Sequence, residues 1–229
     1  MMSRNDAEQL FRNLEPFSTV PSEALRSLAA GATERVFVAK QIIFHEQTDG
    51  DTGYVILEGR VALLKTSPGG KELIVELLGP GELFGVLVLL DAHPYPLTAR
   101  AQTRVTALAL KRSQVQKLIR DTPSVHAGFT DLLRRRLSSA HGLSRALAHD
   151  KVDARVASIL IAVSAKSRES ERIELGRQEL ADLCGITIET ASRVIKVFEK
   201  RGAVDVSEIG AVKLLDRAFL EHVAGSQSV

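Results

Sequence analysis

GRQELADLCGITIETASRVIKVFEKRG, residues 176–202, holds two short helical patterns separated by a turn. The first runs from Gly176 to Leu183 and breaks at Cys184-Gly185-Ile186. Thr187 then caps a second helix that reaches Lys200, and Gly202 follows as the glycine that closes it. Two helices joined by a Gly-containing turn form a helix-turn-helix arrangement. Spacing of this kind suits many helical hairpins, so the side chains of the second helix matter more. Glu189, Ser192 and Arg193 stand at i, i+3 and i+4, on one face of its first turn and a half. Such a face fits a DNA major groove, where Arg grips guanine O6 and N7 and Glu accepts from cytosine N4. Thr190, Lys196 and Lys200 are placed to meet phosphates. The plainer alternative is a solvated face with a Glu189–Arg193 i,i+4 ion pair, and the two are compatible.

On the C-terminal side, Val204-Asp205-Val206 and Val212-Lys213-Leu214-Leu215 flank Ser207 to Ala211, a hairpin. On the N-terminal side, Val152, Val156, Ile159, Leu160 and Val163 make a helical stripe. Before that, Thr122-Pro123 opens a long helix that continues to about Asp150, interrupted only by Gly128 and Gly142. Leu133, Leu137, Ala140, Ser144 and Leu147 recur along it at heptad intervals, a seam long enough to pair two chains. Arg134, Arg135 and Arg136 charge another face. Ser113 is expected to cap a shorter helix, Gln114 to Arg120.

From Glu34 to Leu110 the period changes. Short apolar runs, among them Val36–Val38, Gln41–Phe44, Gly53–Leu57, Val61–Leu64 and Leu73–Leu78, alternate with turn signals. Ser67-Pro68-Gly69-Gly70 and Gly79-Pro80-Gly81 are two of these, and the pattern predicts antiparallel strands in a barrel or sandwich. Short helices are expected before it, around Leu10, Phe11 and Leu14 and around Leu25 and Leu28. The chain has 229 residues, 45% of them apolar, with 30 basic and 28 acidic side chains, enough for a normal core. One cysteine, Cys184, can neither close an internal disulfide nor build a thiolate metal site, so no metal centre is expected. No apolar run matches a membrane span and residues 1–13 lack a signal-peptide core, so a cytoplasmic chain without a membrane partner is expected.

These features together resemble the cyclic-AMP receptor protein / fumarate-nitrate regulator (CRP/FNR) superfamily of bacterial transcription regulators. The likeness covers nearly the whole chain: Gly53-Tyr54-Val55-Ile56-Leu57-Glu58-Gly59, Gly81-Glu82-Leu83-Phe84-Gly85, the long helix after Thr122-Pro123, Arg155, and Gly185 to Arg193. It implies an α+β fold: an N-terminal antiparallel β-roll sensor like a cyclic nucleotide-binding domain (1–120), a long dimerisation helix (121–149) and a C-terminal winged helix-turn-helix (150–229). Its implied partners are double-stranded DNA, a second copy of the chain and RNA polymerase. Loop 166–174 is where activating relatives touch the polymerase. Glu189, Ser192 and Arg193 match the FNR-type reading triplet, which implies palindromic operators with TTGA-like half-sites. Ile188 replaces an arginine of the CRP branch. Thr190, Lys196 and Arg177 match family phosphate contacts, while Gly176 replaces a hydroxyl residue that makes one.

The sensor is defined mainly by subtraction. By the resemblance, its pocket would involve Gly85, Val86, Leu97, Thr98, Ala140 and His141. Where cyclic-AMP binders carry a Glu and an Arg-Ser pair, this chain has Val86, Pro96 and Leu97, which would leave a phosphodiester without a charge partner. Cyclic AMP is therefore not expected, and the missing N-terminal cysteines exclude an iron–sulfur sensor. Three readings stay open: haem, with His93 and His141 as candidate ligands; another small-molecule effector; or a protein active without one. Cys184, in the turn between the two DNA-facing helices, is a candidate redox switch or a small buried residue. No catalytic motif is present, so an enzyme is not expected. The rival reading is a regulatory or protein-interaction module that uses the same roll without DNA, which would have no need of the Glu189, Ser192, Arg193 face.

Overall fold

The computed structural model describes residues 4–166, 172–208 and 210–225. Contacts divide the chain into two compact units: residues 1–65 with 76–139, and residues 66–75 with 140–229.

The first unit opens with helices α1 (Arg4–Asn13) and α2 (Ser22–Gly31), joined by a 3₁₀ turn at Glu15–Phe17. The strands follow: β1 (Thr33–Phe37), β2 (Ile42–Phe44), β3 (Thr52–Glu58), β4 (Val61–Thr66), β5 (Glu72–Leu78) and β6 (Leu83–Phe84). Helix α3 (Val86–Leu90) precedes β7 (Thr98–Ala101), β8 (Val105–Lys111) and α4 (Arg112–Asp121). The expected strands form two antiparallel sheets, in the orders β1-β8-β3-β6 and β2-β7-β4-β5. Between them lies a core of Ile56, Val61, Leu63, Leu78, Phe84, Ala99, Ala101, Val105 and Ala107. The alanines on β7 and β8 leave room there for aromatic rings.

A second core packs helices on the other face of the first sheet. Phe11, Phe17, Leu25, Val86, Leu89, Val115 and Phe129 meet Val55, Leu83, Leu108 and Leu110 of the strands. Phe17 meets Phe11 and Phe129 edge-on, at ring separations of 5.9 and 5.5 Å. Helix α4 begins at Arg112, earlier than a Ser113 cap would place it. There the Lys111 N–H donates to Gln114 Oε1 at 2.9 Å, so Ser113 falls inside the first turn instead of capping it.

Helix α5 (Ser124–His149) is continuous for 26 residues. Its first half is anchored by packing and by charge. A Cβ on Gly128 would stand 2.7 Å from Pro16 Cα, so glycine permits the close approach of the 3₁₀ turn. Arg135 pairs with Glu15, while Arg136 pairs with Glu76 at 3.3 Å and donates to the Leu83 carbonyl. Arg135 and Arg136 of the charged face thus tie the helix to its own unit. Leu137, on the seam, is left 58% exposed.

The second unit contains α6 (Val152–Lys166), β9 (Arg172–Glu174), α7 (Arg177–Cys184), α8 (Ile188–Lys200), β10 (Val204–Asp205), β11 (Ala211–Leu214) and α9 (Arg217–Gly225). Strands order β10-β11-β9, so the expected hairpin gains a third strand. Val156, Leu160, Leu180, Ala191, Ile195, Phe198, Val212 and Leu220 are buried in this unit. Phe198 meets Phe219 edge-on at 6.1 Å, with the Arg201 guanidinium 5.6 Å over the Phe219 ring. Residues 167–171, most of the loop expected to meet RNA polymerase, lie outside the described residues. No described helix is long and apolar enough to cross a membrane.

Candidate nucleic-acid interface and sensor pocket

Gly185 ends α7 in the left-handed region, at φ +63, and a Cβ there would stand 2.8 Å from Leu147 Cδ2. Glycine therefore serves both the turn and the close packing beneath it. Thr187 caps α8: its hydroxyl oxygen accepts the Thr190 N–H at 3.3 Å and lies 3.2 Å from the Thr190 hydroxyl. Arg155 supports the same region from α6, where its Nη1 donates to the Asp150 carbonyl at 3.0 Å.

Ala191, Ile195 and Phe198 bury one side of α8, which turns Glu189, Arg193, Lys196 and Lys200 to the exterior and leaves Ser192 half-buried. The Glu189–Arg193 ion pair of the plainer alternative is not formed. The Glu189 carboxylate turns to its own backbone N–H and the Thr187 hydroxyl, which hold it below the usual carboxylate range. Among the described residues Arg193, Lys196 and Lys200 have no ion-pair partner, so the helix presents three free cations. Arg177 opens α7 and is half-buried, and its pKa is pushed down by burial against the opposing pull of the Glu199 carboxylate.

Cys184 is 1% exposed, and burial pushes its thiol up to about 12, opposed by the charge of Arg155. That is the environment of a packed, protonated thiol and not of a reactive thiolate.

The expected sensor residues of the roll each have a definite setting. Gly85 adopts φ +68 at the start of α3, facing Gly53 and Thr52 across a space too tight for a Cβ. Val86 packs in the helical core, whereas Leu97 packs against the core between the sheets. Thr98 Oγ1 accepts the Glu46 N–H at 3.0 Å. Ala140 and His141 lie on α5 in the second unit, His141 exposed. His93 projects to solvent, 71% exposed, with Nδ1 3.3 Å from Asp91. Among the described residues no cluster of His, Cys, Asp and Glu could hold a metal ion.

Sequence reasoning missed Tyr95. Its ring is 5% exposed and stacks on Phe44 at 3.7 Å, with 9° between planes. Its hydroxyl donates to the Thr52 carbonyl at 2.7 Å. The ring also lies against Gly85 and Gly50: a Cβ at those positions would come within 3.4 and 2.3 Å of it. Val86 is committed to the helical core, and Pro96 and Leu97 offer a cyclic phosphate no charge.

A roll of antiparallel strands, a long helix and a winged helix-turn-helix with an exposed cationic helix face define a DNA-binding transcription regulator. The cyclic nucleotide-binding domain family matches residues 34–122, and the Crp-like helix-turn-helix domain matches residues 154–223. The cyclic AMP receptor protein of Thermus thermophilus is 34% identical over 83% of this chain and 87% of its own length. The nitrogen fixation regulation protein FixK of Bradyrhizobium diazoefficiens is 28% identical over 83% of this chain and 81% of its own. The structure of FixK2 from Bradyrhizobium japonicum superposes with a TM-score of 0.78 at 23% identity, covering 86% of this chain and 99% of that one. The chain belongs to the CRP/FNR superfamily of transcription regulators. Members of this family bind DNA and function as dimers, and these relatives are regulators and not enzymes.

Proposed function

We propose that this chain acts as a homodimer that reads a two-fold operator with TTGA-type half-sites, through Glu189, Ser192 and Arg193 of α8. The observation that carries the reading is the outward face of α8, where Arg193 is free and Glu189 is held ionised at the helix N-terminus. Arg193 is assigned to the guanine of the half-site and Glu189 to the cytosine paired near it. Arg177, Thr190, Lys196 and Lys200 set the register through phosphates. The exposed Leu137 and the seam from Leu133 to Leu147 supply the two-fold contact, which sets the reading helices roughly 34 Å apart. The protein works in the cytoplasm, where the operator and RNA polymerase are, and has no catalytic role of its own. A roll that served only as a protein-interaction module would leave the three free cations of α8 without a purpose.

Fluorescence anisotropy against a duplex carrying TTGA and TCAA half-sites tests the reading. The dimer should prefer that duplex strongly to a scrambled one at moderate salt. Equal affinity for both would sink it.

A further inference from the structure

We infer that Leu73, at the tip of the β4–β5 hairpin, is a positioning residue for DNA reading. With Leu147 it forms the seat on which the turn between α7 and α8 rests.

Residues 66–75, the tip of that hairpin, group with residues 140–229 in the second unit. Alternation along β5 explains why a leucine is available there. Ile74 and Leu78 are 1% and 0% exposed and mark one buried face of the strand, which leaves Leu73, Val75 and Leu77 on the other. Strand β5 is an edge strand, and an antiparallel sheet commonly turns polar residues away from its core. Here all three residues of the outer face are apolar, and each is half-buried. For Leu73 the cover is the turn. Its Cδ1 lies 3.4 Å from where a Cβ on Gly185 would stand, and Leu147 Cδ2 lies 2.8 Å from the same point.

That turn decides where α8 points. Gly185 takes φ +63, the Ile186 N–H donates to the Ala181 carbonyl at 3.0 Å, and the Ala191 N–H donates to the Thr187 carbonyl at 3.0 Å. These bonds are local and shape the turn, whereas packing on Leu73 and Leu147 places it within the unit. Because Gly185 has no side chain, the leucine methyl groups bear on the backbone itself, with no rotamer between them to absorb a shift. A recognition group must be held within about 0.5 Å of its productive place, so a displaced turn carries straight to Glu189 and Arg193.

Leu73→Val keeps the strand preference of the position and withdraws the δ-methyl reach. Its melting temperature should stay near wild type. Amide hydrogen exchange at Ile186 and Thr190 should quicken about fourfold, the worth of one buried methylene, while the amides of α6 exchange as before. By fluorescence anisotropy the variant should lose affinity for the duplex with TTGA and TCAA half-sites by about the same factor, and lose little for a scrambled duplex, since base contacts need the helix in place more than phosphate contacts do. Leu73→Met, unbranched and close to leucine in volume, should match wild type in both measurements.

Wild-type exchange at Ile186 and Thr190 in Leu73→Val overturns the inference. So does a rise in exchange across the whole unit with a fallen melting temperature, which would make Leu73 a residue of general stability. A loosened turn that keeps the full wild-type preference between duplexes overturns it as well. The duplex readout rests on the proposed operator. If wild type prefers no duplex, that reading fails, while exchange at Ile186 and Thr190 still decides whether Leu73 seats the turn.

Discussion

Arg193 stands free at the surface of α8, held by no carboxylate, so its whole donor fork is available to one partner. Truncation to alanine should therefore leave the fold intact, cost about 1–3 kcal/mol of operator binding and relax specificity at the guanine position. Anisotropy across a set of duplexes substituted at that base checks this. Tyr95 titrates in the other direction from a reactive group: burial pushes its phenol from 10.0 up to about 12, and burial raises Tyr54 as well. The folded value lies above the unfolded one, so the stability from neutral Tyr95 is complete below pH 10 and is lost as pH rises toward 12. Absorbance at an alkaline tyrosinate wavelength should show both groups ionising late in the wild type, and Tyr95→Phe should remove the later step. At this scale the capped helix α8 and its outward face were legible in the sequence, because caps, glycines and i,i+4 faces are local. Tyr95 was not, since its partner Phe44 lies far off in the chain and no spacing announces a stack made by folding.

Among the elements, α5 is anchored by some side chains and leaves others exposed. Arg135, Arg136 and the Gly128 contact with Pro16 fasten it to its own roll, while Leu137 faces outward. Leu137→Glu should therefore leave the circular dichroism and the melting of the roll near wild type. It should shift the protein to monomer by light scattering and abolish the preference for two half-sites over one, because like charges would face each other across the seam. The heptad spacing is local and so visible in the sequence, yet the role of the arginines was hidden: a charged helical face looks the same whether water or Glu15 and Glu76 await it. Helix α3 was equally hidden. Val86–Leu90 is five apolar residues, too short to show any period, and it is a helix only because Gly85 turns the backbone at φ +68. Strand β9 has the same problem, being three residues recognisable only through pairing with β11.

In the whole molecule the charges are unevenly shared. Residues 1–149 carry 18 basic and 15 acidic groups, whereas 150–229 carry 12 and 13. The DNA-reading part is slightly acidic overall, so its grip must come from the local cations of α7 and α8, doubled by the second chain. Lys196→Ala should weaken specific and random duplexes alike and make the slope of log affinity against log salt shallower by about one for each phosphate the lysine neutralises. Titrations at several salt concentrations would show this, and equal slopes for variant and wild type would remove Lys196 from the phosphate-binding set. The division of labour along α5 reaches further than assembly. Arg135, Arg136 and Gly128 anchor the helix and Leu133 of the proposed seam packs on the roll as well, so it is the exposed Leu137 that can be rewritten without touching the roll. Two copies given complementary seams would pair only with each other, and with different reading triplets they would command asymmetric sites that no symmetric pair could recognise.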